Sequence, residues 1–301
     1  MNFVTKISHF TLLAVVLCII TPIIGSLTMT KKRYPRPIKN VVFDLNGVLL
    51  KTNKMASFSM VKKSVISSIL SFNNPFSIKK KLLSVLNKIK PRAADCAQAK
   101  TPEGDLMPQI MVDWQCGAIS CKEFKKEISS FAFKNPDFFA NKSEKNLILA
   151  LSNLILTPEL LAKTQQPIKE AIDFLKECKK NNFIIYVLSN FDSEGFEAVY
   201  NKYPQLFNLI DRKNIIVSGN VKTVKPDHKI YKHLLKTYNL DPQTCVFFDD
   251  RPENVIAAQE CGMHSIQCHQ KNKLFGSTAN IKRMKKEFNQ LLFNQPDYLI
   301  L

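Results

Sequence analysis

The stretch that decides the fold lies early in the chain and reads Val41-Val42-Phe43-Asp44-Leu45-Asn46-Gly47. Its three apolar residues predict a buried strand, and Asp44 follows where that strand ends. In open α/β sheets, ligands bind outside the carboxyl ends of the strands, so a carboxylate there has a catalytic position. Two positions later stands Asn46, whose amide cannot take up and release a proton as a carboxylate can. The stretch therefore predicts a reactive Asp44 beside a residue that cannot act as its acid or base.

The second half of the chain alternates between strand and helix patterns. Continuous apolar runs predict strands at 183–188, 215–217 and 245–248. Such runs are typical of strands that are buried on both faces of a parallel sheet. Helical patterns accompany them at about 168–180, 230–238 and 253–261. This alternation predicts right-handed βαβ units and hence a doubly wound α/β fold.

Polar residues follow four of the predicted strands, at Asp44, Ser189-Asn190, Lys225 and Asp249-Asp250. Each has an ordinary structural interpretation, because aspartate and serine often cap turns or helices and one lysine among 43 Lys and Arg says little. Each also has a chemical one. A hydroxyl, an amide and an ammonium can bind a phosphoryl group, and adjacent carboxylates suit Mg²⁺, which prefers oxygen ligands. The four positions together are more specific than any one of them.

These motifs, in this order, resemble those of the haloacid dehalogenase (HAD) superfamily of phosphohydrolases over roughly residues 40 to 270. The matching segments are Phe43-Asp44-Leu45-Asn46-Gly47-Val48, Val187-Leu188-Ser189-Asn190, Val224-Lys225-Pro226-Asp227 and Phe247-Phe248-Asp249-Asp250-Arg251-Pro252-Glu253-Asn254. The resemblance implies a Rossmann-like doubly wound parallel sheet with an inserted α-helical cap. The longest gap between motifs, from Asp44 to Ser189, is where a helical cap of the first type is inserted in that family.

The resemblance also implies a division of the chain and a class of substrate. We expect a HAD-like core at 38–52 and 166–270, the helical cap at 53–165 and a C-terminal helical tail at 271–301. The expected substrate is a small phosphorylated molecule. Asp44 would attack its phosphorus as the nucleophile, Ser189 and Asn190 would bind the phosphoryl group, and Lys225 would balance its charge and restrain Asp44.

Magnesium is the cofactor that the resemblance implies. Its ligands would be Asp44, the backbone carbonyl of Asn46, and Asp250, while Asp249 and Asn254 would orient these groups from outside the ligand set. Hard cations of this kind take carboxylate and carbonyl oxygens and keep several waters.

Asn46 departs from the family pattern, in which phosphatases usually carry an aspartate that protonates the leaving alcohol and then activates water. Three hypotheses follow. The first is a Mg²⁺-dependent phosphomonoester hydrolase that is slow or restricted to activated esters. The second is a catalytically weak relative that binds phosphorylated ligands or a partner at a membrane. The third is a hydrolase of another bond, including carbon–halogen, although the Asp249-Asp250 pair favours metal and phosphate.

Residues 1–37 form an apolar segment and a basic linker. Positions 10–29 carry no charge, and about 20 such residues suffice to span a bilayer. We expect a single-pass membrane anchor, because basic residues crowd its C-terminal flank and the positive-inside rule would then hold the catalytic domain in the cytoplasm. The alternatives are a signal peptide that is cleaved on export, and a buried or peripheral segment.

The formal net charge of +18 is concentrated in the N-terminal third, where residues 1 to 94 include sixteen Lys and Arg but one acid, Asp44. Two basic amphipathic stretches in 60–90 predict helices with solvated lysine faces, or a surface that faces anionic lipid. Nucleic acid is a poor candidate partner because aromatic residues do not interleave with these lysines. Seven cysteines outside the apolar segment, with no Cys-x-x-Cys pair, indicate a reducing compartment and give little support for a zinc site.

Overall fold

The structure is a computed structural model, and it describes residues 37–53, 56–57, 60, 75–92, 99–100, 104–271 and 278–294. Its strands are β1 (Asn40–Phe43), β2 (Leu50–Thr52), β3 (Gln165–Pro167), β4 (Ile184–Ser189), β5 (Ile215–Val217), β6 (Cys245–Asp249), β7 (His264–Gln267), β8 (Gln270–Lys271) and β9 (Thr278–Ala279). Its helices are α1 (Pro75–Leu86), α2 (Gln109–Gln115), α3 (Cys121–Lys134), α4 (Lys142–Ile155), α5 (Pro158–Thr164), α6 (Lys169–Lys180), α7 (Ser193–Lys202), α8 (Pro204–Phe207), α9 (Ser218–Val221), α10 (His228–Thr237), α11 (Pro252–Glu260) and α12 (Ile281–Phe293).

The central sheet has five parallel strands in the order β5-β4-β1-β6-β7. The strand order reverses around β1, which is the arrangement of a doubly wound fold. The predicted α/β class is therefore confirmed, as are the four predicted strands. The fifth strand, β7, was not predicted because it lies at the edge of the sheet and its sequence, His264-Ser265-Ile266-Gln267, is mostly polar.

Alternate residues of the strands supply two separate cores, because successive side chains point to opposite faces of a sheet. On one face, Phe43 stacks on Phe248 with ring centroids 4.7 Å apart, and Phe174 of α6 and Phe288 of α12 pack edge-on against this pair. On the other face, Val42, Tyr186 and Phe247 pack against α10 and α11. Helices thus cover both faces, and the carboxyl ends of the strands are left at one edge.

A helical insertion, α1 to α5, lies between β2 and β3, which pair in antiparallel fashion where the chain leaves the core and returns to it. We call α1 to α5 the cap helices. They have a core of their own around Trp114, Phe124 and Ile148. The start of α3 is specified by a capping box, in which Ser120 and Glu123 each accept a hydrogen bond from the other's backbone amide. The domain boundaries expected from sequence stay a prediction.

Several local features differ from the sequence analysis. Helices α2 and α5 were not predicted; each has seven residues, too few for a clear helical period. Lys81, assigned to a solvated lysine face, instead lies 3.5 Å from Glu144 and over the ring of Phe138. Helix α12 lies within the predicted C-terminal helical tail.

Other predictions fall on residues that the structure does not describe. The apolar segment 10–29 lies outside the described residues, as does nearly all of the first basic stretch, 60–72. Within the described residues, no single helix is long and apolar enough to cross a bilayer. Helices α4 and α5, which meet at a bend of 88°, reach that length and apolar composition only as a pair. The described cysteines, Cys116, Cys121, Cys178, Cys245, Cys261 and Cys268, are free.

Candidate active site

The predicted site residues converge because β1, β4 and β6 are adjacent and in register. Phe43 is level with Val187 on one side and with Phe248 on the other. The next residue, Asp44, is tied to β6 by a 2.9 Å hydrogen bond from its backbone amide to the carbonyl of Phe248. Asp249 and Ser189 are the last residues of their strands. Three polar side chains therefore emerge at one edge of the sheet.

Lys225 joins these strand ends from the loop after α9. Its Nζ lies 2.9 Å from Asp44 Oδ1 and 2.7 Å from Asp249 Oδ2, and it donates to the carbonyl oxygen of Leu188 at 2.9 Å. The ammonium is buried. Burial disfavours the charged form, but the carboxylates of Asp249 and Asp44 outweigh it and hold the pKa of Lys225 above its usual value. Lys225 is therefore a fixed positive charge that restrains Asp44.

Asn190 places the lysine. Its Nδ2 donates to the carbonyl oxygen of Lys225 at 2.8 Å, and its Oδ1 accepts from the backbone amide of Lys225 at 2.7 Å. The nitrogen and the oxygen of the Asn190 amide are thus both hydrogen-bonded to the backbone of Lys225. Sequence reasoning assigned Asn190 to substrate binding, whereas its contacts are those of a residue that positions Lys225.

Asp249 is held on both of its oxygens. The backbone amide of Arg251 donates to Oδ1 at 2.8 Å, and Asn254 Nδ2 lies 3.0 Å from both oxygens. Burial raises the pKa of Asp249 to about 6, against the opposing effect of Lys225. These contacts orient a carboxylate between Lys225 and the residues of α11.

Three carboxylates lie close enough to share a cation. Ligand oxygens of Asp44, Asp249 and Asp250 lie within 4.8 Å of one another. Burial, together with Asp249 and Asp44, raises the pKa of Asp250 to about 7, since several negative charges in one low-dielectric site repel each other. Lys225 supplies one positive charge to this group, so a divalent cation would relieve the remaining repulsion.

Gly47 completes the surroundings of Asp250. Its φ is +84°, and a Cβ added there would lie 2.5 Å from Asp250 Oδ2. Only glycine accepts both the left-handed backbone and this close approach. The turn therefore forms a cradle beside Asp250, and the oxygen-rich donor set with this cradle fits a hard cation such as Mg²⁺.

Ser189 carries a buried hydroxyl without a protein partner. Its side chain is about 1% exposed, and Oγ finds no hydrogen-bond partner among the described residues. Leaving a buried polar group unpaired costs about 1–3 kcal/mol, so such groups are usually reserved for a ligand or water. Ser189 is thus available to donate to an oxygen of a bound molecule.

Asn46, the departure from the family pattern, is exposed at the turn between Asp44 and Gly47. The side chains of Asp44, Ser189, Lys225 and Asp249 are buried. Asn46 is predicted to offer its backbone carbonyl to the cation and to leave the site without a general acid and base. Both roles stay predictions.

Three core side chains donate hydrogen bonds to backbone carbonyls of the insertion that carries the cap helices. Ser218 Oγ donates to Gln115 O at 2.6 Å, and Lys222 Nζ to Gly117 O at 2.8 Å. Arg251, next to Asp250 in sequence, donates through Nη2 to the carbonyl oxygen of a cap residue, Lys100. These three hydrogen bonds join the core to the insertion that carries the cap helices.

The sequence analysis did not predict the contacts of Ser218, Lys222 and Arg251 with the cap. It also did not predict Gln270 as a site residue, although its Nε2 donates to Gly47 O at 2.7 Å. A weak signal existed for Gln270, because it follows a strand, but that strand is the unpredicted β7. The site also lies apart from a large groove on the protein surface. A groove of about 1310 Å³ lies between α6 and α12, and none of the strand-end residues lines it.

Comparison with known proteins places this geometry in a family. The model of the haloacid dehalogenase-like hydrolases matches residues 38–262. The chain is 30% identical over 113 residues to a drimenol cyclase from Aspergillus calidoustus, covering 38% of this chain and 21% of that protein. It is 31% identical over 98 residues to a sesquiterpene phosphatase from Aspergillus oryzae, covering 33% and 48%. The matches thus span less than half the length of these curated relatives.

The fold is also similar to that of a solved structure from this family. A HAD-like family hydrolase from Porphyromonas gingivalis superimposes with a TM-score of 0.50 at 18% identity, covering 86% of this chain and all of that one. Because the family model matches most of the chain, the protein belongs to the haloacid dehalogenase-like hydrolases.

Proposed function

We propose that this chain is a Mg²⁺-dependent phosphomonoester hydrolase that works through an aspartyl-phosphate on Asp44. The observation that carries the proposal is the buried ammonium of Lys225, which bridges Asp44 and Asp249 and leaves the unpaired hydroxyl of Ser189 at the same sheet edge. The similarity to a sesquiterpene phosphatase supports phosphate-ester chemistry.

The protein groups divide the work in two displacements. In the first, a carboxylate oxygen of Asp44 attacks phosphorus, and the leaving oxygen departs with the bonding electron pair and takes its proton from solvent. In the second, water attacks the same phosphorus, releases inorganic phosphate and restores the carboxylate, so one difficult step becomes two easier ones. Lys225 holds Asp44 in place and balances phosphoryl charge, and Ser189 donates to a phosphoryl oxygen.

The cation has a defined place in this proposal. Mg²⁺, held by Asp44, the backbone carbonyl of Asn46 and Asp250, would neutralise charge between the nucleophile and the phosphate. Asp249 and Asn254 orient the site from outside that ligand set, because Asn254 fixes Asp249 and Asp249 fixes Lys225.

Asn46 sets the expected rate. It cannot protonate the leaving alcohol or deprotonate the attacking water, and general acid–base catalysis supplies typically about 10²- to 10⁴-fold. The first displacement is least affected when the leaving group is already good. The second displacement, the attack of water, does not benefit from a good leaving group and is slowed by the missing general base. We therefore propose that activated esters phosphorylate Asp44 faster than water removes the phosphoryl group.

The test is a rapid-quench experiment on the full chain in mild detergent with 4-nitrophenyl phosphate and Mg²⁺. We expect a burst of nitrophenol that matches the enzyme concentration, a slower steady rate, and a phosphoryl group on the Asp44 peptide after acid quench. D44N should abolish all three, whereas D173N, which removes an exposed carboxylate, should abolish none. A wild-type chain without a burst, and without Mg²⁺-dependent phosphate release, contradicts the proposal.

Asn46 also favours a second candidate, a catalytically weak relative that binds phosphorylated ligands or a partner at a membrane. In that case, the wild-type chain binds inorganic phosphate with Mg²⁺ through Ser189 and Lys225 but turns over no ester. Equilibrium binding of radiolabelled phosphate beside the rapid-quench experiment separates the two.

The location is a proposal that rests on the N-terminal sequence. We propose a single-pass anchor with the catalytic domain in the cytoplasm, supported by the uncharged segment and its basic C-terminal flank. Extraction at alkaline pH and protease protection of membranes test this topology. A mature chain whose first residue lies beyond position 24 would indicate a cleaved signal peptide instead.

A further inference from the structure

Gln270 reaches the proposed metal site from a part of the chain that the catalytic motifs do not include. It opens β8, three residues beyond the end of β7 in the chain. Its Nε2 lies 2.7 Å from the carbonyl oxygen of Gly47 and 3.4 Å from Asp250 Oδ2. One side chain thus contacts both the backbone of the glycine cradle and a carboxylate of the three-aspartate cluster.

The orientation of the amide follows from its neighbours. The carbonyl of Gly47 can only accept a hydrogen bond, and an ionised Asp250 carboxylate likewise only accepts. The nitrogen of Gln270 must therefore face both of them, which directs Oε1 elsewhere. That oxygen is buried and has no hydrogen-bond donor among the described residues. A buried acceptor without a donor is unfavourable, so a hydrogen bond from a bound molecule would stabilise this oxygen.

We infer that Gln270 is a positioning residue of the magnesium site, an inference that rests on the proposed function. Nε2 holds the carbonyl of Gly47 and the carboxylate of Asp250 in their relative places. Oε1 accepts a hydrogen bond from the hydration shell of the cation. Mg²⁺ usually keeps several waters when proteins bind it, so donors for this oxygen arrive with the ion.

Gln267 provides a matched control. It is the same residue type three positions earlier, and its Nε2 also donates to Asp250, at 3.3 Å, but to the backbone carbonyl. It supports the chain at Asp250, whereas Gln270 contacts the carboxylate and the glycine cradle. Replacement by methionine keeps the length of either side chain and removes its donor and its acceptor.

The experiment measures Mn²⁺ binding to the full chain in mild detergent by the electron paramagnetic resonance signal of the free ion, with Mg²⁺ as competitor. Partners that orient metal ligands are worth about 10- to 100-fold in affinity, so we expect Q270M to weaken Mn²⁺ and Mg²⁺ binding about tenfold. Q267M should bind as the wild type does. Thermal unfolding without metal should give the same midpoint for Q270M and Q267M, which shows that the loss is not a fold defect.

Three other binding results overturn the inference. If Q270M binds Mn²⁺ as tightly as the wild type, Gln270 has no role in the metal site. A lowered unfolding midpoint in that case would show that Gln270 only stabilises the fold. If Q267M loses as much Mn²⁺ affinity as Q270M, the contacts of Gln270 with Gly47 and the Asp250 carboxylate do not account for metal binding. If the wild-type chain binds neither ion, the metal in the proposed function fails as well. If Q270M does not fold, Q270A is measured in its place under the same criteria.

Discussion

Replacing Lys225 by methionine should destabilise the fold strongly. The substitution keeps an unbranched side chain of similar length and removes the buried ammonium 2.9 Å from Asp44 and 2.7 Å from Asp249. Removing one partner of a buried ion pair costs about 3–5 kcal/mol, because the other charge stays buried without compensation. The carbonyl of Leu188 also loses its donor. We expect a loss of about 3–5 kcal/mol for K225M, a large part of the roughly 5–15 kcal/mol typical of a whole protein.

The assay is denaturant unfolding of the full chain in mild detergent at pH 8 without divalent ions. Far-UV circular dichroism follows the sheet and helices, and the fluorescence of Trp114, the single tryptophan, follows the cap helices. K176M is the control, because Lys176 and Asp173 form an exposed pair 3.8 Å apart. Exposed pairs are worth about 0–1 kcal/mol, so K176M should unfold close to the wild type.

A double variant tests the electrostatic reason. If the unpaired carboxylate causes the loss, K225M/D249N should be more stable than K225M, since asparagine carries no charge. The reasoning is refuted if K225M loses no more stability than K176M. It is also refuted if the double variant is as unstable as the sum of its two single variants, because the two residues would then act independently.

Three further predictions follow from the same site and its surroundings. Gly47→Ala should abolish Mn²⁺ binding and lower stability by about 1–3 kcal/mol, because alanine opposes a φ of +84° and its Cβ would lie 2.5 Å from Asp250; unchanged binding by resonance of the free ion would contradict this. Asn46→Asp should raise steady-state kcat on 4-nitrophenyl phosphate by about 10- to 1,000-fold, and an unchanged kcat would place the defect elsewhere. Iodoacetamide at pH 8 should modify Cys261 well before Cys121 in the folded chain, since burial raises the pKa of Cys121 to about 12 and its thiol is buried; peptide mapping that shows the reverse order would refute it.

Local patterns predicted the elements that are buried on all sides. The apolar runs at 41–43 and 245–248 became β1 and β6, because a continuously apolar run of that length has few other ways to be buried. The same rule missed β7, which needs only one neighbour and tolerates polar residues such as His264 and Gln267. It also missed the pairing of β2 with β3, because each has three residues and the two are more than a hundred positions apart in the chain.

The sequence by itself determined the class of fold, the family motifs and the residues that carry chemistry: a carboxylate at 44, a hydroxyl at 189, a lysine at 225 and paired acids at 249–250. Only the tertiary structure decided what these groups do to one another. It showed that Lys225 bridges Asp44 and Asp249, that Asn190 holds the lysine, and that Gln270 reaches Gly47 across 223 positions. The physical reason is that residue type sets what a side chain can donate, accept or ionise. Burial and distance set its charge balance and partners, and those exist only after distant strand ends meet at one edge of the sheet.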